Sequence, residues 1–92
     1  MLSSAPFIAF VPITDPARAR KFYEQVLGLT LINDEEFALV FEAYGTMLRL
    51  TKMQSVSPAP FTVLGWRVAD IRAEIAVLAL RGVMFERYEG MP

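Results

Sequence analysis

Apolar and polar positions change rhythm several times along the chain, and each change marks an element. Residues 7–13 (FIAFVPI) are apolar at every position, which predicts a strand covered on both faces and therefore central in its sheet. Thr14-Asp15-Pro16 then switches the period. Ala19, Phe22, Val26 and Leu29 recur at helical spacing, with Arg18, Lys21, Glu24 and Gln25 largely outside that stripe, so a helix packs on the sheet. Asp15 suits the N-cap, because its carboxylate accepts the free N–H groups of the first turn, and Pro16 needs no donor there. Gly28 ends the helix. Residues 29–32 form a short strand, 33–36 (NDEE) a polar turn, and 37–44 and 47–52 two strands joined at Gly45-Thr46 as a hairpin. Three adjacent carboxylates at 34–36 lack the spacing of cation ligands and are read as solvated.

Residues 52–60 (KMQSVSPAP) have no hydrophobic period and connect two halves. The opening pattern then returns. Pro60-Phe61 followed by TVLGWRV matches Pro6-Phe7 followed by IAFVPI, Asp70 matches Asp15, and Gly82 matches Gly28. Ile71, Ile75, Leu78 and Ala79 give the second helix its stripe, and 83–88 repeats the strand that follows. The sequence organisation is one domain over 1–92, with a strand-helix-strand-strand-strand unit at 6–52, a linker at 53–60 and a partial second unit at 61–92. The repeat stops at Pro92, two strands short. The expectation is a chain that continues past Pro92, with a homodimer also expected; a partner filling the gap or a rearranged second half are the other outcomes.

Composition narrows the chemistry. Nine Lys and Arg against ten Asp and Glu leave no basic excess for a phosphate backbone, so nucleic acid is not an expected partner. No apolar run reaches the roughly 18 residues of a membrane span, and cysteine is absent, which fits a cytoplasmic protein. Histidine is absent too. Without His or Cys there is no Ser-His-Asp or Cys-His arrangement and no imidazole ligand, and a metal would have to be held by oxygen.

The segment VPITDPARARKFYEQVLGL, with Asp15, Phe22-Tyr23 and Val26-Leu27-Gly28-Leu29 as its specific points and Val68, Asp70 and Gly82 as a weaker echo, resembles the vicinal oxygen chelate superfamily. That superfamily includes glyoxalase I, bleomycin-resistance proteins and extradiol dioxygenases. The resemblance implies an α+β fold of paired βαβββ modules, the second incomplete here, whose sheets curl into a cup. In each module the fourth strand lies beside the first, then the third, then the second. Metal-dependent members place His, Gln or Glu ligands on inward-facing strand positions. Carried over, three of these fall on Ile8, Arg49 and Val63, none of which binds a divalent cation, so no metal and no cofactor are expected.

The same register turns Ile8, Phe10, Met47, Arg49, Thr51, Val63, Gly65 and Arg67 into the cup, and Leu48, Leu50, Leu64, Trp66 and Val68 toward the helices. An arginine in an apolar concavity must be paired or solvated, and its planar fork recognises carboxylate or phosphate. Arg49 could instead pair with Glu42 across the hairpin, and Arg67 could sit in water at a strand end. Ile8, Phe10, Met47, Arg49, Val63 and Arg67 are the candidate ligand-binding residues, and none is a catalytic candidate. The leading expectation is a metal-free small-molecule-binding protein of bleomycin-resistance type, holding a partly apolar ligand with an anionic or strongly polar group. A lyase or dioxygenase relative whose ligands come from absent residues or a partner chain is the alternative, and a dimer module with a vestigial cup is a third.

Overall fold

The structure, a computed structural model, describes residues 1–86. After a short 3-10 turn at Leu2–Ser4, the elements are β1 (Ile8–Ile13), α1 (Pro16–Lys21) continued by a π-helical turn (Phe22–Val26), β2 (Thr30–Asp34), β3 (Ala38–Ala43), β4 (Thr46–Lys52) and α2 (Ile71–Leu80). The four strands form one mixed sheet in the order β1-β4-β3-β2. β1 runs parallel to β4, and the other two pairs are antiparallel. This is the βαβββ module that the resemblance implies, followed by a connecting segment and the helix α2, and the architecture is α+β.

Local chemistry sets the element ends. The Asp15 carboxylate accepts from the Arg18 amide at 3.1 Å, and Asp70 accepts from the Ala73 amide at the same distance. Between β3 and β4 the turn is Tyr44-Gly45, with φ of 47° and 86°, the two-residue hairpin that requires positive φ at both central positions. The Glu42 carboxylate accepts from the Gly45 amide and closes this turn. A bulge between Leu31 and Asn33 leaves Ile32 without a partner in the β2–β3 ladder.

Leu39 and Phe41 on β3 and Leu48 and Leu50 on β4 form the buried core. Ala9, Val11, Ile13, Leu31 and Ala43 extend it on the same face, and Ala19 and Tyr23 cover it. The regular stripe led to Phe22 as the packed aromatic, but Tyr23 takes that place. Ordinary helical spacing accounts for it, since Tyr23 follows Ala19 by four residues and shares its face; the π-helical turn, in which the Leu27 amide bonds the Phe22 carbonyl at 2.9 Å, widens the helix C-terminal to it. Tyr23 stacks at a tilt on Phe41 with centroids 5.9 Å apart, while Phe22 stands edge-on to Tyr23 and is exposed.

Three further expectations change. β1 is an edge strand, not a central one, and Pro12 within it, which cannot donate to a ladder, is the signal that fits this position. Residues 61–68 form no strand, since no neighbour completes a ladder with them. Residues 83–86 are irregular as well, and the rest of the expected closing strand lies outside the described residues. α2 buries no residue fully; of its predicted stripe Leu78 is half-buried and Ile71 and Ile75 are exposed. One hydrogen bond ties the end of this helix to the first half, from Arg81 Nη1 to the Val26 carbonyl at 2.7 Å.

Candidate functional site

Strand alternation divides the sheet into two chemically different faces. Leu48 and Leu50 enter the core, so Met47, Arg49 and Thr51 take the opposite face of β4. Parallel pairing sets Ile8 beside Met47 and Phe10 beside Arg49. On β3 the same face carries Ala38, Val40 and Glu42. Ala38 and Val40 are buried, but toward β1 the face is open: Ile8, Phe10 and Met47 are 47, 60 and 41% exposed. The result is an apolar surface with one guanidinium beside its centre.

Arg49 is held in place. Its Nη2 lies 2.8 Å from Glu35 Oε1, and the other oxygen of that carboxylate accepts from Asn33 Nδ2 at 3.2 Å. Glu42 is not its partner, because the hairpin register sets Val40 opposite Arg49 and Glu42 opposite Met47. Beside this pair, Lys52 Nζ reaches Asp34 Oδ1 at 2.8 Å and the Glu35 carbonyl at 2.6 Å, and Arg20 approaches Asp34 at 3.9 Å and Glu24 at 3.7 Å. The hydrogen bond from Lys52, helped by the positive charge of Lys52 and Arg20, holds the Asp34 carboxyl below its usual pKa against a smaller opposing effect of burial. Burial pushes the Tyr23 phenol up.

The carboxylates at 34 and 35 are therefore counter-ions to basic side chains, where the sequence suggested a solvated turn. The signal was present in the hairpin. Counting back from the turn at Tyr44-Gly45 sets Ala38 opposite Thr51, which carries the preceding acidic residues alongside Lys52.

Of the six candidate residues, Ile8, Phe10, Met47 and Arg49 share this open face. Val63 is exposed on a segment that forms no strand. Arg67 does not join them: it lines a cleft with Ala9 and Leu48, residues of the core face. Leu64 packs on the core as its predicted orientation requires, and Trp66 lines the same cleft as Arg67.

The residues present do not fit a divalent metal. Besides methyl, thioether and phenyl groups the open face offers only the Thr51 hydroxyl and the Glu42 carboxylate, which accepts from the Gly45 amide, and its guanidinium is a cation. Among the described residues no three His, Cys, Asp or Glu side chains gather as a ligand set.

Comparison with known proteins supports the architecture across the whole chain. Residues 7–90 match the sequence model of the Glyoxalase/Bleomycin resistance protein/Dioxygenase superfamily. No curated protein matches in sequence. Among solved structures, an antibiotic binding protein from a Streptomyces species is 26% identical, with a TM-score of 0.73, covering 100% of this chain and 82% of that one. A glyoxalase/bleomycin resistance protein from the same organism is 25% identical, with a TM-score of 0.68 over 96% of this chain and 83% of its own. A lactoylglutathione lyase from Agrobacterium tumefaciens, at 23% identity and a TM-score of 0.62, covers 97% and 78% and shares the fold. A binder and an enzyme thus carry this architecture, and the choice between them falls to the side chains.

Proposed function

The chain belongs to the glyoxalase/bleomycin resistance protein/dioxygenase superfamily, and on that premise we propose that it binds a small, partly apolar carboxylate without catalysing a reaction on it. The observation that carries the reading is the open sheet face, where Ile8, Phe10 and Met47 surround Arg49. Exposed apolar side chains provide the burial that binds the ligand body, and the guanidinium provides a planar fork for its anionic end. Glu35 already pairs with Arg49, Oε1 to Nη2 at 2.8 Å, which supports a carboxylate as the kind of group this guanidinium takes. The similarity to an antibiotic binding protein supports binding over turnover, as does the lack of metal donors at the positions where the metal-dependent relatives keep them.

A flat face needs a second wall, and we assign it to a second copy of the chain, with Val63 and its neighbours at the rim.

The test is a thermal-shift screen of short apolar carboxylates and their methyl esters against the wild type and Arg49→Ala, with light scattering for the assembly. The expected result is stabilisation by acids over esters, lost in Arg49→Ala, in a protein that melts near the wild-type temperature without ligand. Equal stabilisation by acids and esters, or an unchanged response in Arg49→Ala, rejects the role of Arg49. One tightly bound transition metal per chain that survives a chelator rejects the metal-free reading.

A further inference from the structure

The cleft that holds Arg67 is separate from the proposed cup and has the chemistry of a site of its own. Its floor is the core face of the sheet, through Ala9 and Leu48, whereas the cup residues stand on the other face. The walls come from three places in the chain: Phe7 before β1, Tyr44 at the hairpin turn, and the run Leu64 to Arg67. Its volume is about 550 Å³, within the range of small-molecule sites.

Two features specify what fits. Phe7, Tyr44 and Trp66 leave aromatic surface open around one opening, although such rings gain most from burial. Arg67 is the one cation that lines this cleft, and unlike Arg49, Lys52 and Arg20 it meets no carboxylate among the described residues, a state it shares with Arg18, Lys21, Arg72 and Arg81. An unpaired guanidinium beside an apolar wall is complementary to an anion carried on a flat apolar body, since the fork pairs with carboxylate and the wall covers the ring.

We propose that this cleft is a second binding site, for a planar aromatic carboxylate, with Arg67 as the anion-recognising residue and Trp66 as the stacking surface. It is independent of the cup and of Arg49. Trp66 is the only tryptophan in the chain, so its indole N–H is a single resonance that reports on this cleft.

The experiment titrates 2-naphthoate, and separately the neutral 2-naphthalenemethanol, into the full ¹⁵N-labelled chain, as wild type, Arg67→Gln and Arg49→Gln. Both arginines are on the surface or partly open, so both variants are expected to fold. With naphthoate, the Trp66 indole and Gly65 amide signals shift in the wild type and in Arg49→Gln. Arg67→Gln weakens that binding roughly tenfold, as for one charge-assisted hydrogen bond at an open site, and the alcohol binds about as weakly to all three proteins. The proposal is overturned if the shifts centre on Ile8, Phe10 and Met47 and vanish in Arg49→Gln. It is also overturned if Trp66 does not respond, or responds to protein concentration alone, which would make the cleft a contact between copies. Failure of the cup reading looks different: Arg49→Gln then changes no ligand response, while the Arg67 result stands.

Discussion

Glu35 occupies the guanidinium on which the proposed function depends, and removing its charge is the sharpest perturbation available. A ligand carboxylate that pairs with Arg49 must first displace Glu35 Oε1 at 2.8 Å. The two side chains are 31 and 38% exposed, so their pairing is partly screened and contributes about 0.5–1 kcal/mol, at the upper end for surface pairs. Glu35→Gln keeps the size of the side chain and an acceptor for Asn33 but removes the charge. The variant should lose about that much stability in a denaturant titration. It should gain a similar amount in ligand affinity, roughly two- to fivefold, because the ligand no longer competes with an internal anion. Isothermal titration with the strongest acid from the thermal-shift screen reads the change, and the gain should shrink at high salt as charges are screened. Weaker binding in Glu35→Gln would refute the reasoning, since it would make Glu35 a positioning group for Arg49 and not a competitor.

Leu50→Ala removes a fully buried side chain from a core built around four, and should destabilise the chain by about 2–5 kcal/mol in a denaturant titration; a change below 1 kcal/mol would mean that the packing around Leu50 collapses into the space. Gly45 has a φ of 86°, so Gly45→Ala should cost about 1–2 kcal/mol through backbone strain alone, with an unchanged far-ultraviolet spectrum. Asp34 has a lowered pKa in the fold, so its ionised form favours the folded state. Its contribution is present above the unfolded carboxylate value near 4 and is lost as pH falls through the lower folded value, so melting temperatures of Asp34→Asn and wild type should converge as acidification passes that lower value. Tyr23 acts at the other end of the scale: stability is fully present below pH 10 and declines as pH rises through its raised folded value, a decline that Tyr23→Phe should abolish.

By itself the sequence determined most of what depends on neighbours along the chain, although the hairpin turns at Tyr44-Gly45, one residue before the expected Gly45-Thr46. Asp15 and Asp70 cap, Gly28 and Gly82 stop, the period changes at Thr14 and Glu36 separate the elements, and alternation along 47–51 divides Leu48 and Leu50 from Arg49. Each rests on one or two residues whose backbone preference is strong without tertiary help, and the repeat of these signals carried the resemblance that the family match bears out. Tertiary structure decided what depends on contacts between distant segments. Tyr23 took the packed place expected of Phe22, because both positions lie near the stripe and the choice between them is made by which ring fits on Phe41. Arg49 took Glu35 and not Glu42, because strand register, not residue type, sets which carboxylate is in reach. The edge position of β1 and the separation of Arg67 from Arg49 onto opposite faces follow from ladders that residues 61–68 do not form, and a strand exists only where a second backbone completes its hydrogen bonds.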